Sequence, residues 1–312
     1  MMRWGLYILL GACAGYGLFG TYAAFGFAAI IVNLFTPLPA AYVGMRLGGA
    51  SAALTVAVTL ALVLVTGNLT QGVTYLLQFG LPGAVLPWLL HRGLAWDKAV
   101  AAVIWVMVAA SLAGLLAYAS LAGQSPLTLT GNMISSEIAE TKTVMQEMFA
   151  GSDIPADQQQ DVAEAVESMA VFLQKAYPGI VITVAGLMTL GLVLLLSLLA
   201  RGHYPIPGPA FPSWKAPEPL VWGLIAAGFL VAFGDGLFAV FALNLLVVLL
   251  PVYFLQGLAV IDCFFRRKAF SPVFRAIGYV LVTLVNPLPM LVTGIGVFDL
   301  WADFRKPREP QS

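Results

Sequence analysis

The chain alternates long apolar runs with short polar breaks, and a helix that crosses a bilayer needs about 20 apolar residues. Read in order, the runs predict apolar helices over residues 5–32, 39–48, 50–66, 73–91, 98–121 and 179–200. Four more follow over 220–233, 237–263, 272–285 and 288–303. The runs are too long and continuous for barrel strands, and in lipid only helices or closed barrels satisfy the backbone. The expected fold is therefore all-α, a polytopic helical membrane protein.

Two runs are interrupted in the same way, by "NLFTPLP" at 33–39 and by "VNPLP" at 285–289. Proline removes a backbone donor and disfavours helix in the residue before it. Each element is read as a point where the chain turns back near the outer face, against the alternative of a kink in one long tilted helix. Backbone groups freed at such a break must be buried in protein or line a wet cavity. Transporters bind ligands at broken helices in this way, so Asn33 and Asn286 are expected beside one outer-side cavity. The competing expectation is that each asparagine caps its own broken helix.

Residues 122–177 break the apolar pattern. They carry eight acids (Glu137, Glu140, Glu147, Asp153, Asp157, Asp161, Glu164 and Glu167) against Lys142 and Lys175. Ile134, Ile138, Thr141, Met145 and Met148 follow the spacing of one helical face, and Val162, Val166, Met169, Leu173 and Ala176 repeat it. This predicts an amphipathic helical hairpin hinged at "GSDIP", with its acids forming a solvated face. The stretch 201–219 holds six prolines and is read as a linker that cannot be helical.

Charge adds a topology. Lys and Arg of short loops stay on the cytoplasmic side. If both Pro-Leu-Pro elements reverse the chain, thirteen basic residues fall inside and only Lys142 and Lys175 outside. Both termini are then cytoplasmic and 122–177 faces outward, in a bacterial cytoplasmic (inner) membrane. The chain is 60% hydrophobic, 10% charged and formally neutral, far from a soluble domain and without the basic surface that nucleic acid requires.

The chemistry visible in the sequence is sparse. Cys13 and Cys263 lie in apolar runs, and His91 and His203 belong to no zinc or hydrolase motif. No phosphate-binding loop is present. General acid–base work needs positioned titratable groups, so the chain is read as a non-enzyme with no cofactor and no metal. Polar residues toward the expected outer side form the candidate ligand site: Asn33, Thr36, Asn68, Gln71, Gln78, Asp235, Asn244 and Asn286. Interhelical hydrogen bonding is the competing use for them. Gly11 and Gly15, with Ala24 and Ala28, make a small-residue face for close helix approach, by default to a neighbour within the chain and otherwise to a transporter subunit. The bilayer is the remaining partner.

Two resemblances follow from longer stretches. "FPSWKAPEPLVWGLI", "NLLVVLLPVYFLQGLAVID" and "GVFDLWADFR" resemble the YybS-like family of uncharacterised bacterial membrane proteins. The N-terminal pattern of a long helix, then "PLPAAYVGMRLGGASAAL", then four more spans, is similar to the S components of energy-coupling-factor vitamin transporters. That second resemblance implies an S-component-like six-helix bundle, with a short second helix returning from the outer face and a ligand under the loop before it. Further C-terminal transmembrane helices complete the expected fold. The resulting organisation is 1–121 (N-terminal helices), 122–177 (extracytoplasmic hairpin), 178–200 (sixth helix), 201–219 (cytoplasmic linker), 220–304 (C-terminal helices) and 305–312 (cytoplasmic tail). The implied function is binding or transport of a small molecule; the alternative is a structural or regulatory protein whose acidic hairpin docks a partner.

Overall fold

A computed structural model describes residues 2–25, 30–126, 156–200 and 202–306, with 128–132, 135–136, 139–140 and 143 from the segment between. Every regular element among them is helical. Among the described residues, six helical stretches are long and apolar enough to cross a membrane. The chain divides into two compact units, residues 1–126 with 184–208, and 127–183 with 209–312.

The first unit opens with α1 (Met2–Phe25), a short α2 (Ile30–Asn33), α3 (Leu38–Leu47) and α4 (Gly49–Thr66). Trp4 Nε1 donates to Ser51 Oγ (3.0 Å) and Tyr16 OH to Thr66 Oγ1 (3.1 Å), so α1 and α4 run parallel. Between them α3 comes back. Thr36 lies beside Gly15, and Pro39 and Val43 beside Gly11. The first Pro-Leu-Pro element is therefore a true reversal. Pro39 sits in the first turn of α3, where a missing N–H costs nothing. At ten residues α3 is only about 15 Å long, half a bilayer. It is held by close contact: a Cβ on Gly44 would stand 2.7 Å from Ala52 Cβ and 2.8 Å from Pro87 Cγ.

Next come α5 (Leu69–Tyr75), a π-helical turn (Leu76–Gly80) and α6 (Leu81–His91), which descend along α4, with Gly72 against Leu64 and Gly49 against Trp88. The expected start at residue 73 falls four residues late because Asn68 caps the helix earlier: its Oδ1 accepts from Gln71 N (2.9 Å). α7 (Trp96–Ala122) and the last turns of α8 (Ala156–Ala200) complete this unit. The linker begins here too, with Trp96 N donating to Pro207 O (2.9 Å).

α8 departs from the reading of a helix beginning at 179. It is 45 residues long and continues through Pro178. Val166 and Ala176 of the expected stripe are buried and Leu173 is half-buried, while Met169 is exposed and Ala170 takes the buried place. The stripe Ile134 to Met148 and the hinge at 151–155 lie outside the described residues.

The second unit contains α8 up to Thr183, α9 (Pro219–Phe233), α10 (Gly236–Arg267), α11 (Pro272–Leu284) and α12 (Leu288–Ala302). A 3-10 turn, Phe211–Ser213, interrupts the irregular linker. α11 and α12 meet at a bend of 100°. Arg267, at the end of α10, reaches the carbonyl of Lys306 beyond α12 (3.4 Å), so the excursion through α11 and α12 starts and finishes at one end of the unit. The second Pro-Leu-Pro element also turns the chain back, as the tip of a V whose arms are about 20 Å long. Each arm is too short to span alone.

Candidate functional site

Thr36 is buried and its Oγ1 donates to Asn33 Oδ1 (2.7 Å), while the amides of Phe35, Thr36 and Leu38 bond back to Val32, Asn33 and Phe35. The freed backbone groups of the first turn are thus taken up locally. Asn68 and Gln71 are joined by the cap on α5, and Gln78 is exposed on the π-helical turn. Asn286 is exposed. Asn33 and Asn286 belong to different units. Gly11 and Gly15 of the small-residue face pack on α3 and α4 within the chain; Ala28 and the side chain of Ala24 lie outside the described residues.

Asn244, on α10, has a fuller role. Its Oδ1 accepts from Gly179 N (2.6 Å), and its Nδ2 donates to Lys175 O (2.7 Å) and Val240 O (2.8 Å). Gly179 N and Lys175 O are the pair that an unbroken α8 joins directly. Pro178, just before Gly179, supplies no backbone donor, and the carboxamide bonds to both members of the pair beside it. A Cβ on Gly179 would stand 2.8 Å from Asn244 O, so only glycine lets α10 come this near. Thr183 Oγ1 adds a bond to Val247 O one turn on (3.0 Å).

Asp235 stands at the break between α9 and α10, between two glycines, in extended backbone and with no capping bond. It lines an open groove of about 480 Å³ with Lys175; Val231, Leu237, Val240 and Leu243 are among the apolar residues beside them. Neither the Asp235 carboxylate nor the Lys175 ammonium has an ion pair among the described residues.

A second polar site was not anticipated from the sequence. α10 and α12 cross backbone to backbone: a Cβ on Gly257 would collide with Val292 O, and one on Gly296 with Tyr253 O. Such contact is how membrane helices associate without a hydrophobic drive. It buries Tyr253, Gln256 and Asp299 completely. Asp299 Oδ2 accepts from Arg305 Nη2 (2.8 Å) and from Gln256 Nε2 (3.4 Å). Gln256 Oε1 accepts from Ala216 N (3.0 Å), and Arg305 Nη1 donates to Trp214 O (2.6 Å) and Pro212 O (3.0 Å). The network ties the linker to the crossing. Asp299 Oδ1 and the Tyr253 hydroxyl stay buried with no hydrogen-bond partner among the described residues. Buried ionisable groups in spanning segments are by default functional or pairing sites. Here the pairing use is explicit.

Just beyond, Asp303 binds Lys306 and Lys215 (both 2.9 Å). Those bonds, Lys306 first, hold its carboxyl down to about 2. On α10, Asp262 accepts from Tyr279 OH (2.7 Å) and Arg266 Nε (3.0 Å). No cluster of three metal-ligating side chains occurs among the described residues.

The stacked apolar helices, half-length reversals and buried polar crossings define a multi-pass helical membrane protein. The chain belongs to the family described as "Predicted membrane protein (DUF2232)", whose model matches residues 17–300. No curated protein and no solved structure matches it.

Proposed function

We infer that this membrane protein binds a small amphipathic molecule carrying both charges, at the groove between α8, α9 and α10. Lys175 and Asp235 offer a cation and an anion at the edge of an apolar wall, and a ligand pocket typically joins apolar lining to a few placed polar groups. Their lack of partners among the described residues carries this reading. Binding, with transport as its extended form, is assigned in preference to catalysis. Mass spectrometry of gently purified protein tests it: a zwitterionic small molecule should co-purify, and Lys175→Gln with Asp235→Asn should lower its occupancy about a hundredfold, the loss of two charge-assisted bonds. Unchanged occupancy in the double variant would sink it.

A structural or regulatory reading has its own support. Asn33 with Thr36, Asn68 with the Gln71 amide, and Asn244 with α8 already spend their hydrogen-bonding groups inside the protein. Persistent absence of any ligand, in detergent and in lipid discs, favours that reading.

A further inference from the structure

We propose that the corner between α10 and α11 is a binding site for the headgroup of an anionic phospholipid. The charge balance at this end of the second unit is uneven. Arg266 is taken up by Asp262, Arg305 by Asp299, and Lys215 and Lys306 by Asp303. Arg267, Lys268 and Arg275 remain, and none of the three has an ion pair among the described residues. Arg275 Nε is buried and makes no hydrogen bond among the described residues.

The corner is rigid. Phe270 N bonds to Phe265 O and Ala269 N to Arg266 O (both 3.1 Å), the closing pattern of a helix end. Its left-handed residue is Ala269 (φ 53°), where the matching end of α6 uses Gly93. Ser271 then caps α11, with its Oγ accepting from Phe274 N (3.4 Å). The positive end of the α11 dipole therefore lies, at Ser271, within four residues of all three cations along the chain, which suits a phosphate.

The surroundings select a lipid phosphate over a soluble one. Phe270 and Phe274 pack together (6.5 Å between centroids) and are exposed beside the cations. α11 buries none of its residues and presents Val273, Ile277, Val280 and Leu284 outward. Basic residues over an apolar, aromatic face are the features of a helix seated in a lipid headgroup layer.

The test uses the full chain in lipid discs of phosphatidylcholine containing phosphatidylglycerol, with retained lipid counted by native mass spectrometry. Wild type should retain phosphatidylglycerol selectively. Arg267→Gln, Lys268→Gln and Arg275→Gln together should weaken retention about a hundredfold, the combined effect of three cations near an anionic surface. Arg46→Gln, Arg92→Gln and Lys98→Gln, which remove the same charge elsewhere, should leave retention unchanged. Arg275→Lys, which keeps the charge with less disturbance, should retain more than Arg275→Gln. Equal loss in the two triple variants would reduce the effect to general surface charge and overturn the site. Displacement of the lipid by millimolar inorganic phosphate alone would overturn the lipid assignment.

Discussion

The two Pro-Leu-Pro turns share a sequence pattern and both send the chain back, but they are held by opposite means. The first is packed. Thr36 and Pro37 are buried, α3 buries five residues, and small side chains on α1, α3 and α4 interlock around it. The second stands open, with Asn286 exposed and no buried residue on α11. It is anchored further along, where α12 crosses α10 at Gly296 and Asp299 joins the buried network. A proline break thus fixes where a membrane helix can turn, while contacts elsewhere keep it turned. Apolar packing spreads that task over many residues; a polar anchor concentrates it in a few.

The largest expected difference lies at the anchor. Asp299→Ala leaves the Arg305 guanidinium buried without its counter-ion and should cost about 3–5 kcal/mol, read from unfolding of the purified protein. Adding Arg305→Met should restore part of that loss. If Asp299→Ala alone changes stability by less than about 1 kcal/mol, the network does not hold the second turn. Gly296→Ala comes next, at about 1–3 kcal/mol, because its methyl meets the Tyr253 carbonyl. Gly15→Ala, whose Cβ would lie 3.5 Å from Thr59 Oγ1 in ordinary contact, should stay within about 0.5 kcal/mol. Equal effects at the two glycines would erase the contrast. At the first turn, Thr36→Val removes one bond of a well-packed site and should cost about 0.6 kcal/mol, with Asn286→Ala giving no measurable change.

A further, small effect is a pH dependence outside the membrane. Asp303 has its carboxyl lowered to about 2 by Lys306 and Lys215, below its ordinary value of 3.8. A depressed carboxylate favours the folded contact above its ordinary value and loses that contribution as pH falls through the folded one. Loosening of the tail from the linker should therefore appear only between roughly pH 4 and 2, and Trp214 fluorescence is the natural reporter. Loosening near neutral pH would point to another group.

Much of this fold can be read from the chain because apolar run length and proline position are local properties. α3 and α4 lie within a residue or two of expectation, and charge placement favours both reversals. The unbroken α8 could not be read that way. Pro178 and the acids before it resemble a boundary, and the residue that bonds to the helix beside Pro178, Asn244, is 65 positions from Gly179. The Asp299 network escaped for a related reason. Gln256 lies 43 positions before Asp299, and Arg305, only six residues after it, reads in sequence as a loop charge. The available signal was an aspartate three residues after a glycine inside an apolar run. Asn68, by contrast, caps an amide three residues away, so its structural use was visible locally.

Asn244 also bears on how the protein is made. A chain entering the membrane in order places Pro178 and Gly179 there before the residue that completes their hydrogen bonding has left the ribosome. Until α10 arrives, the Gly179 amide and Lys175 carbonyl have only each other within α8, because lipid offers no substitute for the Asn244 carboxamide. The middle of α8 is then a provisional structure at first, finished from outside by a later helix, and Asn244→Leu should expose it as a biogenesis defect, with less inserted protein, before any effect on the mature molecule is measured.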